Sequence, residues 1–532
     1  MSFYQLSVSI TTEQPLCGFY SHDLDSTIIA TLSAPISNSF NSFTLISWLA
    51  TAYLIANSAL QPLSGRLTDI FGRRAGLVFS NVFFAVGTLI CGLAKDEWVM
   101  IFGRVVAGMG GGYVVFFNSS SNCSWANLGN SGLNAISSFV ASDMVPLRKR
   151  GMYQGFGNIC WGLGSGLGGV FGGWVNDIWG WRVAFLCQIP LIVISGLLVF
   201  FTIDIPVRET DRSRILRVDF LGAITLVISL VLLLAGLNSG GNLVAWTHPL
   251  VLTALPLSLV FLLVFIFVED RVAAEPIIPV RLLLRRTVLA SCLTNWFSTM
   301  SVFALLFHGP IYFQVLGFSP MQAGARLIPQ AIGVSLGSLG SGIIMRATGK
   351  YYRLLMVIHS ILVLSYVLIA ATFNATTPAW PPFIYFFLTG LGYGGMLTTT
   401  LVSLISAVDH EHQAVITSAS YAFRSTGSTI GITIASSVFQ NLLNQQLWAK
   451  FGDKKHAAEI IGKLRGSIDE IPNVPASWKD GVIDAYMNAL RGVWFLILGV
   501  GVLGAISCIF VKEHILHNSL DRRRRSLSQS QE

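Results

Sequence analysis

Three charged residues, Asp25, Arg104 and Arg424, lie within long apolar stretches of the sequence or at their edges. Placing a charge inside a lipid bilayer costs roughly 2.5–3.5 kcal/mol on insertion scales, so a charge in such a stretch needs a reason to be there. The usual reason is that it binds a proton, an ion or a substrate. His308 and Asn158 are polar residues in similar surroundings, and they are weaker candidates for the lining of the same cavity.

Asp25 is the leading candidate for a proton-binding group. A carboxylate with few water contacts holds its proton more tightly than one in water, so it can alternate between neutral and charged forms. In the charged form it can also pair with a cationic substrate. The alternative is that Asp25 caps a helix N-terminus at the edge of the membrane.

The two arginines also have simpler explanations. Arg104 lies a few residues into its apolar stretch and faces either a partner carboxylate or the lipid interface, which its long side chain can reach. Arg424 should lie near the middle of its own stretch. A salt bridge or contacts with backbone carbonyls inside the helix bundle would account for Arg424 equally well.

The composition indicates a membrane protein with many spans. Of the 532 residues, 53% are apolar and only 11% are charged, whereas soluble domains carry about a quarter charged residues. The formal charge of +8 does not indicate nucleic acid as a partner, because Lys and Arg occur in short loops between apolar runs. The seven cysteines are scattered without metal-binding or redox spacing, and we expect them to be small buried residues.

A membrane-spanning helix needs about 20 mostly apolar residues. Roughly fourteen stretches qualify by this criterion, which predicts an all-α membrane protein. They begin near Leu24 (the weakest), Phe43, Ala75, Val99, Met152, Val183, Phe220, Leu250, Val288, Leu327, Leu354, Phe383, Ala414 and Val493.

Basic residues alternate between successive loops, which predicts the orientation of the chain. Clusters such as Arg73–Arg74, Arg148–Arg150 and Arg522–Arg525 all fall in even-numbered loops or in the tail. The positive-inside rule therefore places these loops and both termini in the cytosol. The opposite side carries the sequon at Asn374, a candidate for glycosylation, and a long lumenal loop at 441–490.

Two loops repeat one pattern of glycines and charges. Gly65, Asp69, Gly72, Arg73 and Arg74 form the first copy, and the second copy is the loop 342–350. The glycines permit a tight turn, and the charges can bridge to the ends of neighbouring helices. Because the two loops occupy the same place in two six-helix halves, the remaining two spans form a linker, as in alternating-access carriers.

Glycines three residues apart also recur in corresponding spans, where they would let helices pack closely. Packing alone explains them as well as any transport role does. The set comprises Gly164, Gly168, Gly172 and Gly173 in the fifth span and Gly427 and Gly431 in the thirteenth.

These motifs resemble the major facilitator superfamily. The loop 65–74 is similar to the signature between its second and third spans, and Arg104 to Gly108 resembles its fourth-span arginine motif. Leu24 to Ile28 is similar to the first-span motif of the fourteen-span, drug:proton antiporter-like branch. Within that branch, residues 25–31, 172–174 and 180–190 most resemble fungal vacuolar basic amino acid transporters. Gly169 stands where the antiporter pattern has proline, which argues against drug efflux more than against transport.

The resemblance implies a mechanism for the charged residues. Arg104 would help to couple proton movement to transport. Asp69, Arg73 and Arg74 would hold an inner gate closed by pairing with neighbouring helix ends, and Asp143 and Arg150 are the partners we expect.

The resemblance also favours one function among several. The first hypothesis is a proton-coupled antiporter that moves basic amino acids into the vacuole. Efflux of drug-like organic cations at the plasma membrane is the alternative, and a transport-dead sensor of the same fold is more remote. We expect no enzyme activity and no cofactor beyond the proton gradient. We also expect a monomer surrounded by membrane lipid.

The predicted domains follow from the repeat. They are a cytosolic segment at 1–23, an N-terminal half at 24–204, two linker helices at 205–286, a C-terminal half at 287–511 and a basic cytosolic tail at 512–532. The first span lacks the apolar residues that should precede Asp25, so we expect the true start of the protein to lie upstream.

Residues 113–131 interrupt the fourth span with a polar stretch that has no counterpart in the twelfth. A re-entrant loop would need partners for its backbone at membrane depth. A loop outside the membrane would leave too few residues for the chain to return. We favour a retained intron, because the codons of Gly-Tyr-Val, Ala-Asn and Asn-Ser permit a fungal donor, branch point and acceptor in frame.

Overall fold

The computed structural model describes 28–29, 32, 36, 39–40, 48–49, 52–60, 73–112, 168, 171–176, 178–202, 219–240, 244, 246–273, 280–318, 320–378, 380–408, 412–454, 457–466 and 468–514. Helices dominate these ranges, which contain no β-strand. The all-α prediction is therefore confirmed for the described residues.

Fifteen α-helices lie in the described ranges with their bounds defined. They are α1 (Arg73–Leu93), α2 (Glu97–Gly112), α3 (Trp181–Leu186), α4 (Gln188–Thr202), α5 (Phe220–Ser239), α6 (Pro249–Arg271), α7 (Val280–Leu283), α8 (Arg286–Val315), α9 (Pro320–Ala325), α10 (Ile328–Thr348), α11 (Tyr352–Thr372), α12 (Pro381–Ser406), α13 (Gln413–Phe451), α14 (Ala457–Gly466) and α15 (Ala476–Ile509). A 3₁₀ helix at Ile468–Asn473 follows α14.

Seven helices in the described part of the chain are long and apolar enough to cross a membrane. They fall in α5, α6, α8, α10, α11, α12 and α15. Helix α13, which was predicted from Ala414, is long enough but carries many serines and threonines, so its apolar content is lower than that of the other seven. Such a helix is buried among other helices rather than exposed to lipid.

Local sequence explains where several of these helices begin and end. Proline occupies the first turn of α6, α10 and α12, where the missing N–H costs nothing. Asp219 caps α5, because its carboxylate accepts a hydrogen bond of 2.9 Å from the Gly222 N–H. Gly349 ends α10 with a left-handed φ of 69°, as the repeated loop pattern requires for a tight turn into α11.

Glycines bring α10 and α12 into backbone contact. A carbon atom added at Gly394 would overlap the carbonyl oxygen of Val334, and one added at Gly390 would overlap that of Gln330. Gly337 of α10 makes the reciprocal approach to Leu391. Close approach of this kind is what small residues provide in membrane helices.

Helix α5 of the predicted linker packs against both halves. Its Leu226 shares an apolar cluster with Leu60 of the first half and Ala419 of the second. Farther along α5, Leu234 clusters with Ile55 and Ile430 in the same arrangement. The linker therefore lies along the seam between the halves.

Helices α13 and α15 are longer than a bilayer is thick. With 39 and 34 residues, they measure about 58 Å and 51 Å at 1.5 Å per residue, against a hydrocarbon core of about 30 Å. Their extensions pack with α14 and the 3₁₀ helix into a small folded unit, here called the cap (residues 440–490). The segment predicted as a loop at 441–490 is thus largely helical in its described residues.

Candidate functional site

Arg104 is buried in the first half of the bundle, with only 2% of its surface exposed. Its Nε donates a hydrogen bond of 3.0 Å to the carbonyl oxygen of Leu49. Its guanidinium carbon lies 4.5 Å from the centre of the Tyr53 ring. These contacts decide one of the alternatives, because a side chain so enclosed does not extend to the lipid interface.

Arg424 occupies the first third of α13 and is half-buried. Its guanidinium carbon lies 4.8 Å from the centre of the Tyr421 ring, which is a cation–π contact. Its Nε is buried and has no hydrogen-bond partner within the described chain.

Next to Arg424, a hydrogen-bonded cluster joins α8, α12 and α13. Asn295 on α8 is 1% exposed, and its Nδ2 donates to the Ser420 hydroxyl at 3.2 Å and to the Ser291 carbonyl at 3.1 Å. Its Oδ1 accepts a bond of 3.3 Å from Thr400 of α12. Ser420 lies one turn before Arg424, so this cluster and the cation lie on the same face of α13.

A second buried polar site lies where α8, α11 and α15 meet. His359 is 1% exposed, and its Nε2 lies 3.5 Å from the Ser298 hydroxyl. A carbon added at Gly504 would lie 3.0 Å from that nitrogen, so this glycine leaves space for the imidazole ring. The Nδ1 of His359 has no hydrogen-bond partner within the described chain.

His308 belongs to different surroundings. Its Nδ1 pairs with the Ala304 carbonyl at 2.9 Å, and its ring meets Phe439 edge-on with centroids 5.7 Å apart. His308 follows Asn295 by 13 residues, which is about 20 Å along α8. The structure therefore does not bring His308 to the Asn295 cluster.

The glycines predicted to pack helices make close contacts where they are described. Gly168 is buried and Gly173 half-buried, while a carbon added at Gly172 would lie 3.0 Å from the Ile28 side chain. In α13, a carbon added at Gly427 would lie 2.7 Å from the Trp296 carbonyl, and one at Gly431 would overlap the Met300 carbonyl. This stripe presses α13 onto α8.

Several predicted residues lie outside the described part of the chain. Arg73 and Arg74 begin α1, but their side chains are outside it, so the predicted gate stays a prediction. The residues wholly outside are Asp25, Gly65, Asp69, Gly72, Asp143, Arg150, Asn158 and Gly164.

The two halves meet through hydroxyl groups. Ser58, in the helical segment 52–60, donates to Ser425 of α13 at 3.2 Å, and its oxygen lies 3.4 Å from that of Thr429. Ser58 is fully buried. Any rotation of one half against the other must change these distances.

Sequence reasoning missed Asn295 and His359. His359 is a single histidine inside the otherwise apolar α11, which is the signal that identified His308 and could have identified this residue too. Asn295 lies in a stretch rich in serine and threonine, where one more polar residue does not stand out.

Known proteins show extensive similarity to the chain. It is 37% identical to "Multidrug resistance protein fnx1" of Schizosaccharomyces pombe, over 97% of this chain and 95% of that one. It is 32% identical to "Vacuolar basic amino acid transporter 2" of Saccharomyces cerevisiae, over 87% and 97%. The crystal structure of the human organic anion transporter MFSD10 has the same fold, with a TM-score of 0.57 over 94% of this chain and all of that one at 13% identity.

The sequence profile of one family covers residues 16–432. Together with the full-length relatives, which are named as transporters and resistance proteins rather than enzymes, this match identifies a multi-pass membrane transporter for small molecules. The chain belongs to the Major Facilitator Superfamily.

Proposed function

We propose that the protein is a proton-coupled antiporter that carries basic amino acids across the vacuolar membrane, with both termini in the cytosol. The observation that carries this proposal is the similarity to the S. cerevisiae vacuolar basic amino acid transporter along 97% of that protein. A match over the whole length includes both halves and the linker between them, so it supports a shared transport cycle and not only a shared fold.

The proton gradient supplies the energy in this proposal. Asp25 would take up and release the proton, and Arg104 would respond to it from its buried position against Leu49 and Tyr53. A buried guanidinium held by a backbone carbonyl and an aromatic ring is sensitive to any shift of the second span. No cofactor is needed, and the working unit would be a monomer in lipid.

A second candidate function is efflux of drug-like cations at the plasma membrane. The 37% identity to a relative named as a multidrug resistance protein supports it. Both candidates require a cationic cargo and a proton gradient. They differ in whether the cargo carries a carboxylate.

Uptake into proteoliposomes would test the proposal. With an imposed pH gradient, we expect accumulation of labelled lysine, arginine or histidine that a protonophore abolishes. Asp25→Asn should eliminate this accumulation while the protein still reaches the membrane. The assay should be run on the full chain and on a version without residues 113–131, because we propose that this segment is foreign to the working transporter. Export of toxic cations without uptake of any basic amino acid would exclude our first candidate in favour of the second.

A further inference from the structure

Helix α13 is enclosed along its membrane part except at one level. Residues 415–422 are buried and residues 427–433 are buried, but the four residues between them, 423–426, are all half-buried. Successive residues of a helix are 100° apart, so four of them cover nearly a full turn. A face exposed to lipid would instead recur every three or four residues. The pattern therefore indicates an open space around the helix at this level.

Arg424 is the charged residue at that level. Its recorded contact is with the Tyr421 ring, and no carboxylate within the described chain pairs with it. Its Nε, moreover, is buried without a hydrogen bond. An uncompensated cation away from bulk water is strongly unfavourable, whereas the same cation with an anion bound is much less so. The site thus has the electrostatic character of a receptor for an anionic group.

The neighbouring polar groups do not supply that anion. Asn295, Ser420 and Thr400 are neutral, and they already donate to and accept from one another. They hold α8, α12 and α13 in register beside Arg424. The guanidinium retains its free donors, which match the two oxygens of a carboxylate.

We propose that Arg424 binds the α-carboxylate of the transported amino acid. This inference rests on the proposed function, since it assumes an amino acid as cargo. The guanidinium selects molecules that carry a carboxylate and repels simple organic cations of the same size. An anionic lipid headgroup offers similar chemistry, and the experiment below separates it from the cargo.

Competition experiments with matched ligands test the proposal. Labelled lysine uptake into proteoliposomes is measured against unlabelled lysine and against cadaverine, which is lysine without its carboxylate. In the wild type, we expect lysine to compete at roughly tenfold or more lower concentration than cadaverine, since charge-assisted hydrogen bonds are worth at least that factor. In Arg424→Gln this difference should largely disappear through weaker competition by lysine, and Arg424→Lys should keep part of it.

Arg326→Gln is the matched control. Arg326 also stacks on an aromatic ring, 3.7 Å from the centre of Phe318, and it too has a buried Nε without a hydrogen-bond partner in the described chain. It lies just beyond α9, and its Nη1 donates to the Gln322 carbonyl. We expect the ratio of lysine to cadaverine to be unchanged in this variant.

Three results would overturn the inference while leaving the proposed function intact. The first is a wild type that takes up lysine but does not distinguish it from cadaverine, which needs no variant and so does not depend on folding. The second is an Arg424→Gln protein that keeps the wild-type ratio. The third is a ratio that depends on anionic lipid and vanishes in pure phosphatidylcholine vesicles, which would assign Arg424 to a headgroup. Absence of lysine uptake by the wild type would instead contradict the proposed function itself.

Discussion

The hydroxyl group of Ser58 in the first half donates a hydrogen bond to that of Ser425 in the second, with 3.2 Å between the oxygens. Ser425 adjoins Arg424, so this contact lies directly beside the cation that we assign to the cargo. Carriers built from two halves work by changing how the halves meet around a central site. The Ser58–Ser425 contact therefore belongs to one state of the cycle, and its geometry should change in the other.

Cysteines at these two positions should trap that state. In the Ser58→Cys/Ser425→Cys double variant, mild oxidation should form a disulfide, since the oxygens they replace are already in contact and side chains this close can be bridged. We expect uptake to stop on oxidation and to return on reduction. Each single variant controls for the native cysteines. Full uptake by the crosslinked protein would show that the contact is not broken during transport.

His359 should be required for transport more than for stability. Its Nδ1 is buried without a partner in the described chain, and replacing such a group with an apolar one can be neutral or stabilising. We expect His359→Leu to leave the melting temperature equal or higher while it lowers lysine uptake severalfold. Ser360→Ala, on the exposed side of α11, is the control for both measurements. A clear loss of stability with normal uptake per folded molecule would make His359 a packing residue only.

The glycine contacts of α12 should be sensitive to a single methyl group. Gly394→Ala would place that group against the Val334 carbonyl, and the backbone can yield little, so we expect a loss of about 1–3 kcal/mol of stability. Gly340→Ala in the facing helix α10 has no atom within 4 Å of the added carbon. That control should instead be stabilised by about 0.5–1 kcal/mol, because alanine favours a helix. Thermal unfolding in detergent measures both, and equal effects would contradict the packing argument.

The cap should depend on one aromatic pair. The rings of Phe451 and Trp478 stack with centroids 4.4 Å apart, and the Lys454 ammonium lies 4.9 Å and 5.1 Å from the two centres. Trp478→Ala should cost about 3–5 kcal/mol locally and expose residues 452–475 to proteases. Trp448→Ala, 46% exposed on the same helix, should leave cleavage unchanged. Wild-type protease resistance in the Trp478 variant would show that the cap is held together elsewhere.

Tyr351 should anchor the chain that follows α15. Its hydroxyl donates to the Lys512 carbonyl at 2.7 Å and accepts from the His514 N–H at 2.9 Å. Burial raises the pKa of Tyr351 above its usual range, so the phenol keeps its proton and the donor persists at physiological pH. Tyr351→Phe should lower stability by about 1 kcal/mol and speed proteolysis after Val511. Tyr352→Phe removes a hydroxyl that bonds nothing in the described chain and should change neither.

The sequence located the helices of the second half closely but misjudged their lengths. The starts predicted near Phe220, Leu250, Val288, Leu327, Leu354 and Phe383 are each within two residues of the observed ones. The last helix was predicted from Val493, yet α15 begins at Ala476. An apolar window detects only the part of a helix that lipid surrounds, and the earlier turns of α15 are polar because they pack in the cap.

The site was predictable where spacing is local and not where it depends on packing. The interval between Gly427 and Gly431 is visible in the sequence, and the structure places both against α8. The burial of Arg104 depends on Leu49 and Tyr53, which are some 50 residues away in another helix, so the sequence left its two alternatives open. The half-buried level around Arg424 likewise arises only when several helices assemble.

The continuous helix from Gln413 to Phe451 has a practical consequence for observing the transporter. Because one unbroken rod carries both Arg424 and the stacked ring of Phe451, any tilt of the rod within the lipid is transmitted to its far end in water. A fluorophore or an antibody fragment placed on the cap would thus report the angle of the cargo-binding helix without touching the membrane or the cargo. The cap can serve as an external pointer for the transport cycle.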